Sequence, residues 1–179
     1  MARINPVTAP ARLAHPERMD DLLLYRLSRL LGTAGGMVIR LCEGRFGITR
    51  REWRILALLA GEEGLLSSQL AERAQLDRAR TSKAITSLVN KQLLRREVLP
   101  GDRRQAALNL TQAGRTLHDA LFPLVQAINQ DLLACLATAD VARLDGMLDR
   151  LQQRAGEMVA QAELPKANRR GGRGQRGIG

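Results

Sequence analysis

The chain has 179 residues, 28 Lys and Arg against 18 Asp and Glu, and a formal charge of +10. That length accommodates one ordinary core, and a hydrophobic fraction of 45% excludes a wholly disordered chain. No uncharged apolar run approaches the roughly 18 residues that a bilayer span needs, and Met1–Pro10 holds no apolar stretch of signal-peptide length, so a cytoplasmic protein without membrane association is expected. Cys42 and Cys135 are too few for a disulfide scaffold, and His15 and His118 stand apart, so neither metal nor any other cofactor is expected.

The positive charge is concentrated. Between residues 78 and 104, Arg78, Arg80, Lys83, Lys91, Arg95, Arg96, Arg103 and Arg104 stand against Glu97 and Asp102 alone. Such a stretch is the electrostatic footprint of a polyanionic partner. A second basic run, Lys166, Arg169, Arg170, Arg173 and Arg176, lies in a glycine-rich segment without acids, which predicts a disordered tail over 164–179.

In chain order, Leu23, Leu27, Leu30, Ala34, Val38 and Leu41 recur at steps of three and four and predict one long helix from Pro16, ended by Gly44 and Gly47. Gly32, Gly35 and Gly36 mark a bend or a close helix contact in its middle. Thr49 with Glu52 forms a capping box for a second helix that buries Trp53, Leu56, Leu59 and Ala60. A short third helix from Ser67 to Ala74 turns inward Leu70 and Ala71, and Asp77 caps a fourth that runs to about Lys91 on a core side of Ile85, Leu88 and Val89. Two short helices joined by a tight turn make a helix-turn-helix. The period then changes. Leu93–Leu99 and Gln105–Leu110 read as two strands around a Pro100-Gly101-Asp102 turn, a wing with Arg103 and Arg104 at its tip. Leu117, Leu121, Val125, Ile128, Leu132 and Leu136 predict a fifth helix, kinked at Pro123. Val141, Leu144, Leu148, Leu151, Ala155 and Met158 give the last helix a heptad seam that calls for another helix, and pairing of two chains buries it most simply.

Three stretches in this order resemble the MarR-type transcriptional regulators: Phe46-Gly47-Ile48-Thr49 with Trp53-Arg54-Ile55-Leu56; Leu70-Ala71-Glu72-Arg73 with Leu76-Asp77-Arg78; and Asp102-Arg103-Arg104 with Leu110-Thr111-Gln112-Ala113-Gly114-Arg115. The resemblance spans about Leu22 to Met158. One departure is Lys91-Gln92-Leu93, where the family has Lys-Gly-Leu; either Gln92 adopts the left-handed conformation or the helix ends earlier, at Asn90. The implied fold is mainly α, a winged helix-turn-helix with a two-stranded β wing, whose N- and C-terminal helices form a dimerisation domain. The divisions expected are an arm over 1–15, a first dimerisation helix over 16–45, the winged domain over 46–111, dimerisation helices over 112–163 and the tail.

The resemblance further implies a homodimeric repressor on a palindromic DNA operator, with recognition helices in successive major grooves and wings in the adjacent minor grooves. Arg78, Arg80 and Lys83 lie opposite Ile85 and Leu88, where base edges are within reach, and an arginine there can grip guanine with two hydrogen bonds. Thr81 and Ser82 are candidates for a base or a phosphate; Ser67, Ser68 and Gln69 offer a helix N-terminus to the backbone or serve simply as caps. Asp102 and Arg104 match the family's Asp-x-Arg pair, implying an arginine in the minor groove oriented by the aspartate, while Arg95, Arg96 and Arg103 suit phosphates.

Family members commonly release DNA when a small phenolic or aromatic carboxylate enters a crevice beside the winged domain. The candidates here are His15, Arg18, Leu22 and Tyr25, at steps of three, four and three on the first helix, with Trp53 on the next. The alternative places Trp53 in the core and Arg18 at the surface. Cys42 beside Arg40 and Arg45 offers a redox-switch alternative, although peroxide-sensing relatives carry their cysteine near the chain start with partner tyrosines. An enzyme is not expected: His118 and Asp119 diverge as neighbours on a helix, and no phosphate loop, nucleophile elbow or metal motif is present. A general nucleic-acid-coating protein would suit the basic tail, but lacks stacking aromatics here.

Overall fold

The computed structural model describes residues 12–99 and 102–163, and the side chains of these apart from 99 and 102–105. Two units are distinguished, one ending at Leu132 and the other beginning at Leu133. In the first, a 3-10 turn (Met19–Asp21) precedes α1 (Leu23–Arg45), α2 (Arg50–Gly61), α3 (Ser67–Arg73), α4 (Arg78–Asn90), strands β1 (Leu94–Leu99) and β2 (Asp102–Leu110), and α5 (Gln112–Leu133). The second holds α6 (Thr138–Gln161). The architecture is the expected one: mainly helical, with one two-stranded antiparallel sheet. No single helix among the described residues is long and apolar enough to cross a membrane.

The first helix begins at Leu23 and not at Pro16. The Asp21 carboxylate accepts the N–H groups of Glu17 and Arg18, at 3.3 and 3.1 Å, closing a separate turn, and Leu22 is extended. Of the three central glycines, only Gly35 is tightly packed: a Cβ there would lie 3.0 Å from the Arg50 guanidinium, whereas Gly32 and Gly36 face open space. The helix passes Gly44 and ends where Gly47 takes a left-handed conformation, letting the Ile48 N–H reach the Cys42 carbonyl at 3.1 Å.

The capping box of α2 is present in full. Thr49 Oγ1 accepts the Glu52 N–H at 3.2 Å, and Glu52 Oε2 accepts the Thr49 N–H at 2.6 Å. Helices α3 and α4 end alike, with Gln75 and Gln92 at φ of 52° and 58°. In each, the following residue donates back five positions, Leu76 to the Ala71 carbonyl and Leu93 to that of Leu88. Both alternatives for Lys91-Gln92-Leu93 therefore hold together: helical residues stop at Asn90, and Gln92 bears the left-handed turn.

Strand β2 starts at Asp102 rather than Gln105, so Arg103 and Arg104 belong to the strand and not to the turn; Leu99 already pairs with Asp102 across it. The wing also has a third contributor that the period-two pattern misses. Leu65, in the α2–α3 loop, bridges Leu108, and the buried Asn109 side chain accepts the Gly64 N–H at 2.8 Å. The core behind these elements comprises Ile48, Ile55, Leu56, Leu59, Leu70, Ile85, Leu88, Leu108 and Leu121, each at most 2% exposed.

Helix α5 runs unbroken through Pro123. Its N-terminal half packs on the core through Leu117, Leu121 and Val125, while Leu132 near its end is exposed; Leu136, expected in this helix, lies beyond its last residue. Its start is fastened to the end of α4: the Thr111 hydroxyl donates to the Gln92 carbonyl at 2.7 Å and accepts the Gly114 N–H at 3.0 Å. A Cβ on Gly114 would stand 2.1 Å from the Leu93 carbonyl oxygen, a distance no rotamer change relieves. In α6, no residue is buried, and Leu144, Leu148, Leu151 and Met158 of the heptad seam are exposed. Residues 1–11 of the arm expected over 1–15, and the tail from 164, lie outside the described residues.

Two substitutions at this junction have opposite expected signs. Gly114→Ala forces backbone apart and should lower unfolding free energy by roughly 3 kcal/mol, whereas Gln92→Gly relieves the left-handed strain and should raise it by about 1 kcal/mol. Denaturant melts of the two variants check this.

Candidate nucleic-acid interface

Helix α4 sorts its residues by the helical period. Thr81, Ala84, Ile85 and Leu88 form the buried face, and Arg78, Arg80, Ser82 and Lys83 are exposed on the other. Thr81 is thereby removed from the DNA-contact set. It is fully buried, and its hydroxyl donates to the Asp77 carbonyl one turn back at 3.0 Å, which satisfies the polar atom and lets threonine serve as a core residue. Asp77 caps the helix by accepting the Arg80 N–H at 2.8 Å, and its other oxygen holds Arg80 Nε at 3.1 Å.

The wing separates two arginines that the sequence sets side by side. Arg96 turns toward α4, with Nη2 3.4 Å from Thr86 Oγ1. Arg95 points to the opposite face, as alternation requires, and pairs with Glu97 at 2.7 Å. Between α3, α4 and the wing lies a groove of about 500 Å³, polar along Ser67, Ser68, Ser82 and Arg96 and floored by Leu66, Ile85, Ala106 and Leu108. Ser67, Ser68 and Gln69 are all exposed, but the Gln69 side-chain carbonyl is occupied by the Leu66 N–H at 2.8 Å, so it caps α3. Asp102, Arg103 and Arg104 lie on β2, with side chains outside the described set.

What sets α4 against the rest of the unit is a buried carboxylate. Glu52, 2% exposed, receives Lys91 Nζ at 3.0 Å on both oxygens, and the same ammonium donates to the Gly47 carbonyl at 2.9 Å. Burial pushes the Glu52 carboxyl up, but hydrogen bonds from Ser87 and the Thr49 N–H, together with Lys91, outweigh it, and the group titrates below its ordinary value. This bond was invisible in sequence, where Glu52 reads as a capping residue and Lys91 as part of the basic stretch.

A second concavity, about 380 Å³, lies between α1 and α2. Leu31, Gly35 and Val38 line it from α1, and Arg50, Trp53, Arg54, Ala57 and Leu58 from α2. The set proposed from sequence does not assemble around Trp53. His15, Arg18 and Leu22 precede α1, so their spacing traces no helix face; Arg18 is engaged with Asp21, and Tyr25 lies under the Arg29 guanidinium, 6.0 Å from its ring centroid. None of these four lines the Trp53 concavity. Trp53, 7% exposed, instead stacks on His118 of α5 at 5.5 Å, with Phe122 at 6.5 Å. His118 and Asp119 do meet, Nδ1 to Oδ1 at 2.9 Å, because the ring nitrogen lies close to the backbone; their divergence along the helix does not keep them apart. Cys42 is fully buried, and burial and Glu43 push its thiol up, opposite to the effect expected of Arg40 and Arg45.

The MarR family model matches residues 46–105, from just after α1 into the second strand of the wing. A protein of Thauera aromatica described as a candidate transcriptional regulatory protein for the hcr operon is 32% identical over 114 residues, which cover 64% of this chain and 69% of that one. The chain belongs to the MarR family of transcriptional regulators. Among solved MarR-type structures, PcaV from Streptomyces coelicolor in complex with its natural ligand is 26% identical, with a TM-score of 0.62 over 87% of this chain and 99% of that one. The S. aureus MepR–DNA complex shares the fold at 21% identity, with a TM-score of 0.67 over 74% of this chain and 98% of that one.

In this MarR-family chain the Glu52–Lys91 bond carries a defined pH signature. Because the folded carboxyl is held below its ordinary value, its stabilisation is complete above that value and disappears as pH falls through the folded one. Lys91→Met should cost roughly 2 kcal/mol at neutral pH, less than a fully buried pair because Lys91 reaches solvent. The gap between wild type and variant should close in acid, below the ordinary glutamate range; urea melts across pH 3–7 check this, where that window is roughly that of carboxylate titration.

Proposed function

We propose that the chain is a cytoplasmic, homodimeric, sequence-specific DNA-binding repressor released by a small aromatic carboxylate. The observation that carries the DNA-binding part is the face of α4: Arg78, Arg80, Ser82 and Lys83 are exposed together, beside a groove with Arg96 on its far wall. In this reading α4 enters the major groove, Arg78, Arg80 and Lys83 meet base edges or flanking phosphates, and Ser67, Ser68, Ser82 and Arg96 receive a phosphate strand. Arg104, oriented by Asp102, enters the adjacent minor groove, with Arg103 on phosphate. The likeness to a DNA-bound structure of the same fold supports it.

Dimerisation is supported by apolar surface without cover in either unit: Leu24, Leu27, Leu30 and Leu31 on α1, and the α6 seam. The effector reading keeps Trp53 but moves from His15, Arg18, Leu22 and Tyr25 to the α1–α2 concavity, where Trp53 and Leu58 supply apolar wall and Arg50 a cation for a carboxylate. A ligand-bound relative, PcaV, supports a small-molecule site in this chain.

The test uses duplexes selected from a random library by the full-length protein. Arg80→Ala should lose discrimination at one or two base pairs per half-site, at about 1–3 kcal/mol, while Arg96→Ala weakens selected and random DNA alike and lowers the salt slope by about one. Hydroxybenzoates or hydroxycinnamates should quench Trp53 and release the selected DNA, and Arg50→Ala should blunt release while leaving DNA affinity within a few-fold. Unchanged Trp53 emission at millimolar acid would remove the effector reading and leave the DNA reading intact.

A further inference from the structure

We propose that Asp77 is a positioning residue for base recognition, holding Arg80 in the orientation that reads a guanine edge. This rests on the assignment of Arg80 to base reading. One carboxylate does two jobs at the entrance of α4. Oδ1 accepts the Arg80 N–H at 2.8 Å and so caps the helix, while Oδ2 lies 3.1 Å from Arg80 Nε. The Arg80 side chain remains 63% exposed and is anchored by its inner nitrogen.

A pair three residues apart whose arginine is largely exposed contributes little to stability, so its consequence is geometric. Guanidinium has five N–H donors in a fixed planar fork. With Nε 3.1 Å from Oδ2 of a carboxylate that is itself fixed by the helix cap, the fork is tethered at its inner end, and in this proposal Nη1 and Nη2 supply the outward edge. A two-bond contact to guanine O6 and N7 needs just such an edge, held in plane. A free arginine must surrender rotamer freedom on binding, and this one has surrendered part of it beforehand. The aspartate also has a cost that a purely electrostatic interface would avoid, since it places a negative charge beside the phosphates.

These two effects have opposite signs on different DNAs, which makes the role measurable. Asp77→Asn keeps an equally good helix cap and removes the charge, and Asp77→Ser keeps the cap but cannot reach Nε. Binding to the selected duplex, to versions changed at the base pairs that Arg80→Ala ceases to distinguish, and to random DNA is measured for Asp77→Asn and Asp77→Ser, each alone and combined with Arg80→Ala, alongside thermal melts. Both Asp77 variants should melt near wild type, hold or gain affinity for random DNA, and lose roughly three- to tenfold in discrimination at those base pairs, with no further loss once Arg80 is alanine. Unchanged discrimination in the single variants overturns the proposal, as does an equal loss in the Arg80→Ala background. If Arg80→Ala itself leaves discrimination intact, the base-reading assignment fails first, and the result is distinguishable because it does not involve Asp77.

Discussion

A buried carboxylate that must find donors governs how the first unit is put together. Glu52 is nearly inaccessible to water, and a charge in that position is tolerable only if its oxygens are satisfied. It draws on Thr49 at the start of its own helix, on Ser87 near the end of α4 and on Lys91 just past that end. Lys91 in turn binds the Gly47 carbonyl at the joint between α1 and α2. Three elements distant in sequence are thus registered at one point, and the direction in which α4 presents its exposed arginines follows from it.

Within the first unit, helix α2 is bonded to or packed on α3, α4 and α5. Through Arg54 it holds the Ala74 carbonyl at the end of α3, through Glu52 it holds the end of α4, and Trp53 packs against the His118 ring of α5. The loop that follows it adds two clamps, Glu62 on Arg73 of α3 and Glu63 on Arg115 of α5, and the Leu65 bridge to the wing. In the proposed effector reading, a carboxylate seated against Arg50 and Trp53 would act on that same helix. It would loosen DNA only by favouring one placement of α2 over another, and a tenfold loss of affinity needs about 1.4 kcal/mol of such preference.

The elements were legible in sequence wherever one local rule acted alone. The Thr49 and Glu52 capping box, the Asp77 cap and the change of period at Leu93 each rest on residues within a few positions of one another, and each is found in place. Where two rules competed, the reading failed. Thr81 looked available because it is polar, but the spacing of 81, 84, 85 and 88 puts it on the buried stripe, and its hydroxyl is satisfied within its own helix. His15 to Tyr25 showed a helical period that Asp21 interrupts by capturing the N–H groups of Glu17 and Arg18. The Glu52–Lys91 bond and the Leu65–Leu108 bridge were not legible because they join residues some forty positions apart, roughly, through nothing but tertiary packing.

In the proposed reading α4, held by Glu52 and Lys91, presents its arginines to the floor of the major groove. Guanine N7 is exposed only there, so methylation interference with dimethyl sulfate on a selected duplex reports the contact directly. Two clusters of interfering guanines are expected, their centres about ten base pairs or a whole multiple of that apart, with the interference at one guanine per cluster lost in Arg80→Ala. Strong binding with no guanine N7 interference, or interference spread evenly along the duplex, would contradict it.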